Sequence, residues 1–115
     1  MVVHSKQGIA TLTLQNSQSI ASGDALHRAL LDVLEQGHRA VIIDLRTIER
    51  IDAAGLGQLV RAYTTVRDRA GELKVVVGPA TPIRELLDRT RLTTVLPTYV
   101  STADAHASFS ESLTC

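Results

Sequence analysis

Three acidic side chains fall close together in the middle of this chain: Asp44, Glu49 and Asp52. Two carboxylates facing one bond could do general acid–base work. Asp44 closes a β-branched run, however, and Asp52 opens a helical stripe, so structural roles are expected of both. His4, His27, His38 and His106 are scattered without ligand spacing, and Cys115 is the single cysteine, so no metal centre is expected. Gly55-Leu56-Gly57 lacks both the third glycine of a dinucleotide turn and the lysine of a phosphate loop. No nucleophile, base and orienting group converge, which points to a non-enzyme without a cofactor. The run Asp52-Ala53-Ala54-Gly55-Leu56 is the most informative. Asp52 stands where a helix N-cap belongs and can accept bonds from the orphan amides of the first turn, worth ~1 kcal/mol. The small residues after it leave those amides open to a protein surface or an anion, which the positive end of a helix favours.

The elements that must position this run follow from periodicity. Ile9-Ala-Thr-Leu-Thr-Leu14 alternates as a strand with one buried face. Gln15 to Gly23 is polar and turn-rich. From Asp24, as N-cap, the residues Leu26, Ala29, Leu30, Val33 and Leu34 keep helical spacing until Gly37. Ala40-Val-Ile-Ile-Asp-Leu45 is a continuous apolar run suited to a central parallel strand. Leu56, Leu59, Val60, Tyr63 and Val66 form one helical stripe ended by Gly71. Leu73 to Val77 reads as a second buried strand. Thr81-Pro82 reads as N-cap and first position of a short helix through Ile83, Leu86 and Leu87. Val95 to Val100 gives a short last strand interrupted by Pro97, and Ser101 caps a C-terminal helix through His106 and Phe109. The order β-α-β-α-β-α-β-α predicts one α/β domain over residues 1–115, a small sheet of about four to five strands with helices packed on it.

Composition narrows the classes. Hydrophobic residues make up 44% of the 115 and charged residues 21%, ordinary for a globular domain. Lys plus Arg equals Asp plus Glu at 12 each, so no global field favours nucleic acid or an anionic membrane. With no Trp, two Tyr and one Phe, a stacking platform for bases is not expected. No apolar run approaches the roughly 20 residues that span a bilayer, and no direct membrane insertion is expected. Met1 to Gly8 is too polar and short for a signal peptide, and a lone thiol suits a reducing compartment, so a cytoplasmic protein is expected.

Val41-Ile-Ile-Asp-Leu45, Ile48 and Ile51-Asp-Ala-Ala-Gly-Leu-Gly57 together resemble the STAS domains of bacterial anti-sigma factor antagonists. In that family a buried strand ends in Asp-Leu, and Asp-Ser-Ser/Ala-Gly-Leu/Ile opens the next helix. Leu73-Lys-Val-Val-Val-Gly-Pro79, Leu86-Leu87 and Thr93-Thr-Val-Leu-Pro97 resemble its later elements, so the likeness runs from about Gly8 to His106. The resemblance implies a signalling module of transcription regulation. Its partner would be an anti-sigma factor with a histidine-kinase-like ATPase fold, and binding would release a sigma factor. It also implies that the interface includes Asp52, Ala53, Ala54, Gly55 and Leu56; a homodimer stays open.

Two departures bear on regulation. The family's phosphorylated Ser falls on Ala53, and Ala54 follows, so neither position carries a hydroxyl. A phosphate there would repel an acidic partner face, and this chain has no such switch at that place. The family's acid after the first strand falls on Ala21 within Ser19-Ile-Ala-Ser-Gly-Asp24. Thr47 and Ser22 are nearby hydroxyls that offer candidate modification sites, although turn or cap roles are favoured for both. Arg46, Arg50 and Arg61 would rim the loop. A STAS subunit of a lipid-transport ABC complex and a stressosome-like scaffold subunit remain alternatives, because neither needs the hydroxyl.

Overall fold

The computed structural model describes the chain except residues 1, 7, 15–24, 47, 49–52, 79–80 and 114–115. Five strands form one sheet: β1 (Val2–Lys6), β2 (Ile9–Thr13), β3 (Ala40–Asp44), β4 (Glu72–Val76) and β5 (Thr98–Tyr99). They lie in sequence order, with β1 antiparallel to β2 and the other neighbours parallel. Four helices follow: α1 (Ala25–Glu35), α2 (Ala53–Asp68), α3 (Pro82–Arg89) and α4 (Thr102–Leu113), with a 3-10 turn at Leu92–Thr94.

The apolar residues divide by strand parity. Ala10, Leu12, Val41, Ile43, Leu73 and Val75 face one side and are buried against Leu30 and Val33 of α1, Leu59 and Val66 of α2, and Ile83 and Leu87 of α3. Ile9, Ile42 and Val76 face the other side, where Ala105 and Phe109 of α4 cover them. The helices therefore sandwich the sheet, which is why β3 runs apolar from Ala40 to Ile43 and β4 is apolar on both faces apart from Glu72 and the buried Lys74.

The expected α/β architecture is present, with three differences of detail. β1 was not predicted, because Val2-Val3-His4-Ser5-Lys6 has only two strongly β-forming residues. It is held by pairing with β2 across a tight turn in which Gly8 takes φ +80°. The Thr–Leu alternation of β2 predicted a strand with one exposed face, yet Thr11 is buried and its Oγ1 has no described hydrogen-bond partner. The last strand shrinks to two residues, because Val95 N–H and Leu96 N–H close on the Leu92 carbonyl instead of joining the sheet.

Helix ends follow their caps. Thr81 Oγ1 accepts the Arg84 amide at 3.2 Å ahead of Pro82. Ser101 Oγ accepts the Asp104 amide at 3.1 Å at the start of α4. α2 ends in a Schellman pair, with Gly71 N–H on the Val66 carbonyl and Ala70 N–H on that of Arg67. Ala70, one residue before the Gly71 that marks the end of the stripe, takes the left-handed conformation at φ 61°. Gly71 is required for closeness instead: a Cβ there would lie 2.6 Å from the Arg39 carbonyl oxygen.

Candidate functional site

β2 and β3 are parallel, and each hands the chain to a helix at its C-terminal end, so α1 and α2 both start on that side of the sheet. Ligands and partners of open α/β sheets meet such edges. α2 begins at Ala53, the position on which the family's phosphorylated Ser is expected to fall. Asp52, Glu49 and Arg50 lie outside the described residues, as do Thr47, Ala21, Ser22 and Asp24, so their expected roles have no structural account. Ala53 and Ala54 supply the first turn of α2. Gly55 is buried, and Leu56 is half-buried against the main core, anchoring the start of the helix.

Asp44 ends β3 at the same end of the sheet. Its side chain is only 6% exposed, and Arg46 takes both of its oxygens. Oδ1 accepts the Arg46 backbone N–H at 3.0 Å and Nε at 3.1 Å, and Oδ2 accepts Nη2 at 2.9 Å. The pair raises the Arg46 pKa above its ordinary value, chiefly through the hydrogen bond, with burial opposing and charge attraction adding. A carboxylate occupied in this way is a strut for the β3–α2 connection and not an acid–base group. Arg46 is thereby committed to Asp44 while its side chain stays half-exposed, and Arg61 stands exposed on α2.

The outward side of α2 is open. A Cβ built on Gly57 meets nothing within 4 Å, Val60 is 41% exposed, and Arg61 and Thr64 continue the same exposed stripe. Val60 belongs to the apolar stripe of the sequence but faces solvent, because Leu59, Ala62 and Val66 fill the contact with the sheet. Two buried polar atoms near the starts of α1 and α2, His27 Nδ1 and Gln58 Oε1, lack any described hydrogen-bond partner. Gln58 carries no signal in the sequence, since an amide on a helix normally reads as solvated surface.

The family model of the STAS domain matches residues 1–105. The chain belongs to the STAS-domain family. The fold is also shared with solved structures. One is an anti-sigma factor antagonist from Mycobacterium paratuberculosis, 23% identical, with a TM-score of 0.79 over 93% of this chain and 90% of that one. Another is a candidate anti-sigma factor antagonist from Thermotoga maritima, 18% identical, with a TM-score of 0.78 over 93% and 92%. At these identities the likeness is one of fold. Among curated proteins no sequence matches this chain. Within the STAS domain, the Asp-Leu strand end is Asp44-Leu45 at the close of β3, and the helix it precedes is α2.

Proposed function

We propose that this STAS domain is an anti-sigma factor antagonist that binds its partner through Asp52–Leu56 and the exposed stripe of α2. The observation that carries this reading is the open side of α2, where Gly57, Val60, Arg61 and Thr64 stand outside the core directly after the family's recognition segment. A small residue, an exposed aliphatic and a cation in one stripe suit a protein surface better than a small molecule. The partner is an anti-sigma factor of histidine-kinase-like ATPase fold, and its sequestration frees a sigma factor. Ala53 offers no hydroxyl, so phosphorylation at that position does not end the complex, and binding is permanent unless controlled elsewhere. No chemistry is catalysed by the domain itself.

The test is an affinity pull-down from extract of the native cell, with the unaltered chain, Asp52→Lys and Val60→Glu as baits. Recovery of a kinase-type anti-sigma factor by the unaltered chain, and its loss with both variants, supports the reading. Recovery of transporter subunits would place the protein in lipid transport instead. Identical captures by all three baits would remove this helix face as the interface.

A further inference from the structure

At the opposite end of α2, roughly 20 Å from its first turn at 1.5 Å per residue, β4 extends beyond the reach of β5. Even-numbered residues of β4 bond toward β3, as Glu72 N–H does to the Arg39 carbonyl at 2.8 Å. Odd-numbered residues bond toward β5: Val75 N–H reaches the Pro97 carbonyl and Val77 N–H that of Tyr99, both at 2.9 Å. By this alternation Leu73 N–H points at the same edge, where the chain is wound into the 3-10 turn and supplies no strand. No described hydrogen bond takes this amide, although Leu73 is 2% exposed. A buried N–H without an acceptor is rare.

A cavity of 310 Å³ opens at this edge, with Leu73, Lys74, Arg67, Tyr63, Tyr99 and Glu72 in its wall. Lys74 is 6% exposed. Its Nζ donates to Ser108 Oγ and lies 4.1 Å from the centroid of the Phe109 ring and 5.4 Å from that of Tyr99. Rings and a hydroxyl hold the ammonium, but among the described residues no carboxylate neutralises it. Arg67 Nη1 donates to Tyr63 Oη at 2.9 Å, and its guanidinium lies 5.6 Å from that ring. It too has no described carboxylate partner. Glu72 is exposed and forms no described ion pair with either cation. The wall therefore holds two cations and an orphan amide against one carboxylate, with tyrosine rings beside them.

We propose that this cavity binds a small organic oxyanion, a carboxylate or phosphate monoester carried on an apolar body. Its oxygens accept from Leu73 N–H, Lys74 and Arg67, and its body lies against Tyr63 and Tyr99. The volume lies at the low end for ligand pockets and suits a small molecule. The site uses none of the residues assigned to partner binding, so it stands or falls independently of that reading.

The experiment is a titration of the isotope-labelled full chain, followed by amide NMR at constant ionic strength. Phenyl phosphate and benzoate are the probes in separate arms, and chloride is the control. A saturable displacement of the Leu73 amide by one probe, absent with chloride, is expected, and the tighter arm identifies the headgroup. Losing one charge-assisted bond should weaken binding ~10-fold, both in Lys74→Met and in Arg67→Gln. Arg67 is exposed, so its variant carries the test even where Lys74→Met fails to fold. A Leu73 amide that moves linearly or not at all with both probes would overturn the proposal. So would unchanged affinity in the folded variants.

Discussion

Arg46 closes on the Asp44 carboxylate from two residues away, taking one oxygen with its backbone amide and Nε and the other with Nη2 at 2.9 Å. The carboxylate is nearly sealed from water while the guanidinium side chain is 46% exposed. The two partners are therefore unequal in what their loss would do.

Arg46→Ala leaves a buried carboxylate with one backbone donor and should lower stability by ~1–2 kcal/mol. The half-exposed guanidinium keeps this below the figure for a fully buried pair. Asp44→Ala leaves Arg46 free to reach solvent, but its backbone N–H loses an acceptor. The double variant should be less unstable than the sum of the singles, by about 1 kcal/mol in a cycle of urea denaturation curves. Strict additivity would mean that the strut contributes nothing to the β3–α2 connection.

The turn between α2 and β4 offers a pair of opposite outcomes at adjacent residues. Gly71→Ala places a Cβ 2.6 Å from the Arg39 oxygen and 2.8 Å from Val66 Cγ1, both within the packed core edge. Backbone must move, at a cost of about 3 kcal/mol. Ala70 already carries the strain of φ 61°, and Ala70→Gly relieves it with a net gain of ~0.5 kcal/mol once the extra chain entropy of glycine is set against it. Denaturation midpoints of the two variants should move in opposite directions. A stabilised Gly71→Ala would mean that the β4 entry is looser than its contacts indicate.

Much of this architecture is legible in the chain because its strongest elements are locally consistent. The runs Ala40–Leu45 and Leu73–Val77, the Thr81-Pro82 cap and the stripe of Leu59 and Val66 each announce one element and one face. What escaped depends on pairing between distant residues. β1 exists because β2 accepts it, and β5 stops at two residues because Leu92 captures the amides that would have extended it. Lys74 reads in sequence as a polar interruption of a strand. Only the docking of α4 reveals that its ammonium lies under Phe109 beside an open edge. The candidate recognition segment was readable as a motif, whereas the exposure of Val60 was not, since a helical stripe of apolar residues does not say which member falls outside the contact.

The absent hydroxyl at the start of α2 gives the most specific functional expectation. Ala53 occupies the first position of the helix, where amide donors and the positive helix end stabilise an added phosphate. Ala53→Ser adds one oxygen at a site of helix geometry, and Ser is as acceptable as Ala in a first turn, so the fold should be kept to within ~0.5 kcal/mol. With the partner kinase and ATP, the variant should gain one phosphate at that residue by mass spectrometry, and the unaltered chain none. The phosphorylated variant should then lose partner binding at least ~100-fold, through like-charge repulsion and desolvation at the interface. Phosphate appearing on the introduced serine without loss of binding would separate the segment from the interface. Phosphate appearing elsewhere, or nowhere, would mean that this helix start is not presented to a kinase at all.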